Sequence, residues 1–137
     1  MVAVGIPLLT LTNHKIMDQI KTSLSKMQAY LETPIGNEPN QLLERMEYLL
    51  IMVAKSGQLL AEAKLAQDQI INQGLLQAME QGLDKRLSPS LITKFVGTNA
   101  KEVNYLVNWA DRVNASATHQ LDAIRTIVSY RKAEMNL

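Results

Sequence analysis

Seven residues in the last quarter of the chain combine side chains that bind anions with side chains that stack on flat rings: Asn104, Tyr105, Asn108, Trp109, Arg112, His119 and Thr126. Arg112 offers planar donors that match a phosphate or carboxylate, Asn104, Asn108 and His119 add directional hydrogen bonds, and Tyr105 and Trp109 offer rings on which a base can stack. At 100° per residue, Asn104, Asn108, Arg112, Ala115, His119, Asp122 and Thr126 share one helix face. That face is poor in the Lys and Glu that usually coat a solvated helix, and between Val103 and Leu121 only Asp111 and Arg112 are charged. The pattern predicts a face covered by another helix, another copy of the chain or a ligand. The competing expectations are a plain solvated face, or a polar seam in which Arg112 pairs with Asp111 or with Glu of a neighbour and His119 with Asp122.

Catalytic and metal chemistry finds little material. Glu44 and Glu47 share a helix face, the first half of the carboxylate set with which all-helical nucleotide pyrophosphatases hold Mg²⁺. The second half is missing, because Leu65 stands three residues after Glu62 and Asp68 lies too far on. A di-iron bundle needs Glu three residues before each His, where this chain has Leu11 before His14 and Ser116 before His119. Gly-rich phosphate loops, zinc spacings and a nucleophile elbow are absent as well. The expectation is a protein without catalytic residues, resident metal or cofactor, in which His14 is a surface residue.

The elements that carry these residues follow from apolar spacing. Val103, Leu106, Ala110, Val113, Ala117, Leu121, Ile124 and Val128 recur at three and four, a stripe that Arg131 continues and that no Pro or Gly interrupts through Glu134. Asn99 with Glu102 reads as a capping box for this final helix, and Gly97 as a left-handed stop for the helix before it. A first helix is expected from Thr12 or Asn13 to about Leu31, with Met17, Ile20, Leu24 and Met27 inward, ended by Pro34 and Gly36. A long second helix is expected from Glu38 or Asn40, carrying Leu42, Met46, Leu49, Val53 and Leu60 past Ile70, with small residues at Ser56 and Gly57 that allow another helix close. A break is placed near Gly74 or Gly82, and Ser88 with Pro89 restarts a short helix ending at Gly97.

Composition agrees with an all-α chain: of 137 residues, 47% are hydrophobic, 20% are charged, and only 6 are Gly and 4 Pro. The length reads as a single helical domain, 1–137, whose residues 1–12 form an extended arm. That arm is apolar but too short to cross a membrane and lacks the basic start of a targeting segment, so it is expected to lie in a groove of this chain or of a neighbour. A net charge of +1 disfavours nucleic acid as a partner, and the lack of Cys fits the cytoplasm. A final helix of ~35 residues spans ~50 Å, longer than the ~37 Å diameter of a compact globule of this chain length. The expected architecture is therefore an elongated bundle of two long helices, an N-terminal helix and a short one, assembled as a homo-oligomer.

The run Asn104-Tyr105-Leu106-Val107-Asn108-Trp109-Ala110-Asp111-Arg112-Val113-Asn114, followed by Thr118-His119-Gln120-Leu121-Asp122-Ala123-Ile124-Arg125-Thr126 and preceded by Leu87-Ser88-Pro89-Ser90-Leu91, resembles small helical proteins encoded by tailed phages and related mobile elements. The resemblance spans about residues 40 to 134. It implies a phage-type accessory protein of the bacterial cytoplasm, where such proteins bind host factors or sequester signalling nucleotides. With the polar stripe, it leads to the expectation of a non-enzymatic helical oligomer that sequesters a small anionic ligand such as a nucleotide immune signal. A structural or assembly protein whose polar stripe is a subunit interface is the alternative, followed by a nucleic-acid-associated accessory protein.

Overall fold

Apolar positions that alternate at three and four residues keep one seam of a helix turned to its neighbour along the whole length. The computed structural model describes residues 8–80 and 88–135, which form four helices and no strand. They are α1 (Leu8–Leu31), α2 (Pro39–Glu80), α3 (Pro89–Asn99) and α4 (Lys101–Met135). This is the all-α bundle with two long helices expected from the sequence. α4 buries Val103, Leu106, Ala110, Val113, Ala117, Leu121 and Ile124, the stripe read from spacing. α2 buries Leu42, Arg45, Leu49, Met52, Ser56, Leu59, Ala63 and Ala66, so its seam runs one residue beside the expected one, and Met46, Val53 and Leu60 pack half-buried on its flank.

α2 and α4 are antiparallel, since Gln67 bonds Asn104, Asn114 bonds Val53, and Arg45 bonds Gln120. Small residues bring them together: Ser56, Ala63, Ala110 and Ala117 have no exposed surface. Asn114 Nδ2 donates to the Val53 carbonyl at 2.9 Å and to Ser56 Oγ at 3.0 Å, so the expected close approach at Ser56 is real and a polar bond fills it. α1 lies across both long helices with Met17, Ile20 and Leu24 in the common core. At ~1.5 Å per residue, α1 is ~36 Å long against ~63 Å for α2. Past Leu31 the two long helices therefore continue without a third, and Val128, expected in the stripe, is 39% exposed.

The helix ends show where local signals held. The Glu38 carbonyl accepts the first bond of α2 from Leu42 at 3.0 Å, and Gln41 Oε1 accepts from the Glu38 N–H at 3.2 Å, with Pro39 in the first turn as expected. Ser88 caps α3 ahead of Pro89 from the opposite side, its own Oγ accepting from the Leu91 N–H at 3.4 Å and its carbonyl from the Ile92 N–H at 3.1 Å. α1 begins at Leu8, before Thr12 and Asn13, because nothing from Leu8 on opposes a helix. Asn13 is consequently a buried side chain inside a helix, and neither of its amide atoms has a hydrogen-bond partner. Residues 8–12 are thus helical, while the rest of the expected arm, 1–7, and Gly82 lie outside the described residues.

Two glycines expected to break helices do not. Gly74 is buried within α2, where a Cβ would stand 3.3 Å from Val96 Cγ1, so it lets α3 close onto α2 and that packing offsets its low helix propensity. Gly97 lies inside α3 without a left-handed backbone. Ala100 N–H donates to the Val96 carbonyl and Asn104 N–H to the Ala100 carbonyl, so i→i−4 bonding runs from α3 into α4 through one turn residue. Asn99 ends α3, and Ala100 takes the capping position that the Asn99–Glu102 pair was expected to mark.

These placements predict opposite balances for one substitution. Gly97→Ala meets nothing within 4 Å and should stabilise by about 0.5–1 kcal/mol in urea unfolding. Gly74→Ala must displace Val96 and should gain clearly less, or lose. A loss at Gly97 equal to that at Gly74 would contradict the helical backbone at Gly97.

Candidate functional site

α4 presents the seven candidate residues on the side turned away from α2 and on its edges. Asn108, Arg112, His119 and Thr126 are exposed, and Ala115 between them is half-buried. Asn104 belongs to the helix seam instead, its Oδ1 accepting from Gln67 Nε2 at 2.7 Å. Tyr105 is exposed and its ring centroid lies 5.8 Å from that of Trp109, tilted by 47°. Trp109 packs half-buried against the core and donates to Gln28 Oε1 at 3.4 Å, which ties α4 to α1. Thr126 Oγ donates to the Asp122 carbonyl at 3.0 Å within its own helix.

Within one chain this face is convex and open, because α1 and α2 both lie on its far side. The pairings weighed for it do not form. Asp122 meets Arg125 at 3.7 Å rather than His119, and Asp111 is not paired with Arg112. Four recesses on the described surface are lined by α1, α2, the connection between them and the end of α4, and none of the seven candidates borders any of them. Glu44 and Glu47 are exposed on α2, and among the described residues no three His, Asp or Glu converge at metal-binding distance. His14 is exposed, as expected.

The most heavily bonded polar residue is Arg45, which the sequence reading passed over. It occupies a seam position between Leu42 and Leu49 and is only 6% exposed. Nη1 donates to Thr33 Oγ1 at 2.7 Å, and Nη2 donates to Gln120 Oε1 at 2.8 Å and to the Leu31 carbonyl at 3.4 Å. Gln120 Nε2 donates to the same carbonyl at 2.8 Å, so α1, α2 and α4 meet at one oxygen. The guanidinium lies 4.3 Å from the centre of the Tyr30 ring, whose other neighbour is Tyr48 at 5.4 Å.

Among the described residues no carboxylate pairs with Arg45. Its charge is balanced by the carbonyl end of α1, the negative pole of that helix, and by the Tyr30 ring. Nε is buried and has no partner. A recess of about 190 Å³ lined by Tyr30, Pro34, Gly36, Gln41 and Glu44 adjoins this residue. The signal was legible in principle: in the series 42, 45, 49, 52 the only charged residue is Arg45, and a cation in an apolar seam needs acceptors brought to it.

Burial pushes the Tyr30 hydroxyl above its ordinary pKa of 10.0, and the Arg45 cation opposes that shift. A hydroxyl with a raised folded-state pKa keeps its full contribution below pH 10 and loses it as pH climbs from there through the folded value. Comparison with family models, with curated proteins and with solved structures gave no match, so the reading of this chain rests on its own geometry.

Two outcomes follow from the arginine node. Arg45→Ala should cost about 2–3 kcal/mol, and Arg45→Lys should recover little of it, since one ammonium cannot reach Thr33, Gln120 and Leu31 together while stacking on Tyr30. Urea midpoints of the two variants measure both, and full recovery by Lys would mean that charge alone suffices. In an ultraviolet titration of the phenols, the Tyr30→Phe variant should lack the latest-ionising part of the rise above pH 10. Loss of an earlier part would contradict the burial effect.

Proposed function

We propose that the protein is a non-catalytic helical assembly protein, a rod that acts by packing a helix face against another protein. The observation that carries this reading is the outer face of α2. Leu43, Leu50, Ile51, Leu65, Leu76 and Met79 are each at least half exposed there. With Ala54 and Ala61 they fall within an arc of ~100° opposite the seam that packs on α4, an arc they share with the exposed Glu47, Gln58, Asp68 and Asn72. Large aliphatic side chains repeated along a second face are what a partner there would cover.

Sequestration of a small anion is the second reading. It draws on Arg112 and His119, which share a face and pair with no carboxylate among the described residues, with Arg112 about one turn from the Tyr105–Trp109 ring pair. The resemblance to small phage proteins supplies the proposed setting for either reading, the bacterial cytoplasm.

The sequence contains no Cys, so a single introduced thiol reports one position. With the protein in the cell that makes it, Leu65→Cys should react with a maleimide far more slowly than Ser116→Cys on the exposed side of α4. Equal rates would overturn the assembly reading. Calorimetric titration of the purified protein with cyclic di- and trinucleotides should give no heat of binding, whereas binding lost in Arg112→Ala would put the sequestering reading in its place.

A further inference from the structure

We propose that the groove at the two-helix end of α2 and α4 binds a medium-chain fatty acid, its alkyl tail lying between the helices and its carboxylate held by Arg131 and Lys132. This inference does not rest on the outer face of α2. It adds a ligand and a site to the assembly reading, and it stands on the lining, the charge and the size of the groove.

Both walls have helical spacing. α2 contributes Pro39, Leu42, Leu43 and Met46, and α4 contributes Val128, Arg131, Lys132 and Met135, each set at i, i+3, i+4 and i+7 on one face of its helix. The two polar members are both cations, and they are neighbours on the same wall. Arg131 is half-buried, and its Nη1 donates to the Asn37 carbonyl, which holds the guanidinium beside the start of α2. That bond uses one of the five N–H donors of an arginine. Lys132 is exposed, and among the described residues neither cation pairs with a carboxylate. Glu38, Glu44, Glu47 and Glu134, the acidic residues of this end, line no part of the groove. Two cations beside an otherwise apolar groove select an anionic head over a neutral or cationic one, and a carboxylate matches the planar fork of Arg131.

Size selects the tail. The groove has a volume of about 490 Å³, within the ~300–1,000 Å³ typical of small-molecule sites. Seven residues of helical rise make each wall ~10 Å long. An extended alkyl chain of about nine carbons, with bonds of ~1.5 Å, covers that length. A partner helix is ~10–12 Å across with its side chains, wider than the ~8–10 Å between the axes of packed helices, so it would rest on the rim and leave the groove unfilled. The first residues of the same chain do not reach it. Leu8 lies one helix length from Leu31, ~36 Å, and seven residues extend at most ~25 Å.

Calorimetric titration of the purified protein with decanoate, below its micelle concentration, should show one site per chain. Affinity should rise about three- to fourfold for each methylene added from hexanoate to decanoate, then level off in longer acids whose tails outgrow the groove. Decanol and decyltrimethylammonium should bind about tenfold more weakly or worse. Lys132→Glu should weaken decanoate about tenfold, and Val128→Glu, which sets a carboxylate in the tail's path, should abolish its binding. Lys64→Glu, the same charge change on α2 outside the groove, should leave affinity unchanged, and circular dichroism of each variant separates lost binding from lost helix. Absence of saturable decanoate binding, equal affinity for decanol, or equal weakening by Lys64→Glu and Lys132→Glu would overturn the inference.

Discussion

The antiparallel seam between α2 and α4 is the constraint on which the remaining elements depend. Its residues recur at three and four along both helices, and the middle of the seam is small: Ser56, Ala63, Ala66, Ala110 and Ala117. Small side chains let two backbones approach, which raises the number of dispersion contacts per turn and makes the pair rigid over most of its length. α1 closes the third side of that pair, and α3 packs on the far end of α2 at Gly74, where a Cβ would press on Val96. Neither short helix has an independent core of its own.

Polar groups set into this seam decide how the helices line up. Asn114 reaches the Val53 carbonyl and Ser56, Gln67 reaches Asn104, and Arg45 gathers the end of α1 with Gln120. A slip of one heptad would preserve the apolar pattern but strand each of these groups, at a cost of about 1–3 kcal/mol for each buried polar group left unpaired. Arg45 matters most because its charge is met by backbone and amide oxygens rather than by a carboxylate. Its position therefore depends on where α1 stops. Asn13 is the contrary case, a buried amide whose atoms have no hydrogen-bond partner, and it adds nothing to register.

Unequal helix lengths create the surfaces that remain. α1 ends about level with Arg45, so the first turns of α2 and the last of α4 form a two-helix end with an apolar groove of about 490 Å³ between Leu42, Met46, Val128 and Met135. Leu43 borders this groove and also begins the outer stripe of α2, so the two apolar surfaces are continuous. The polar face of α4 around Arg112 and His119 points elsewhere. The exposed aliphatic side chains of the described residues are thus chiefly on helix faces, which is what the proposed assembly role draws on.

From sequence alone, periodicity determined the helical class, the two long helices and all seven buried positions of α4, because a three-and-four spacing allows only one face to be continuously buried. Strong local caps were equally legible at Pro39 and at Ser88–Pro89, where the chemistry of a helix start is complete within four residues. The roles of Gly74, Gly97, Asn13 and Arg45 were decided by tertiary structure. Whether a glycine breaks a helix depends on what packs against it, and Gly74 meets Val96 from another helix. Whether Asn13 caps or is buried depends on how far the preceding residues extend the helix. Arg45 can sit in a seam only once folding brings Leu31, Thr33 and Gln120, up to 75 positions away, around its guanidinium. Spacing along one helix shows which side turns inward, but the partners waiting there come from distant parts of the chain, and only the packed bundle puts them in place.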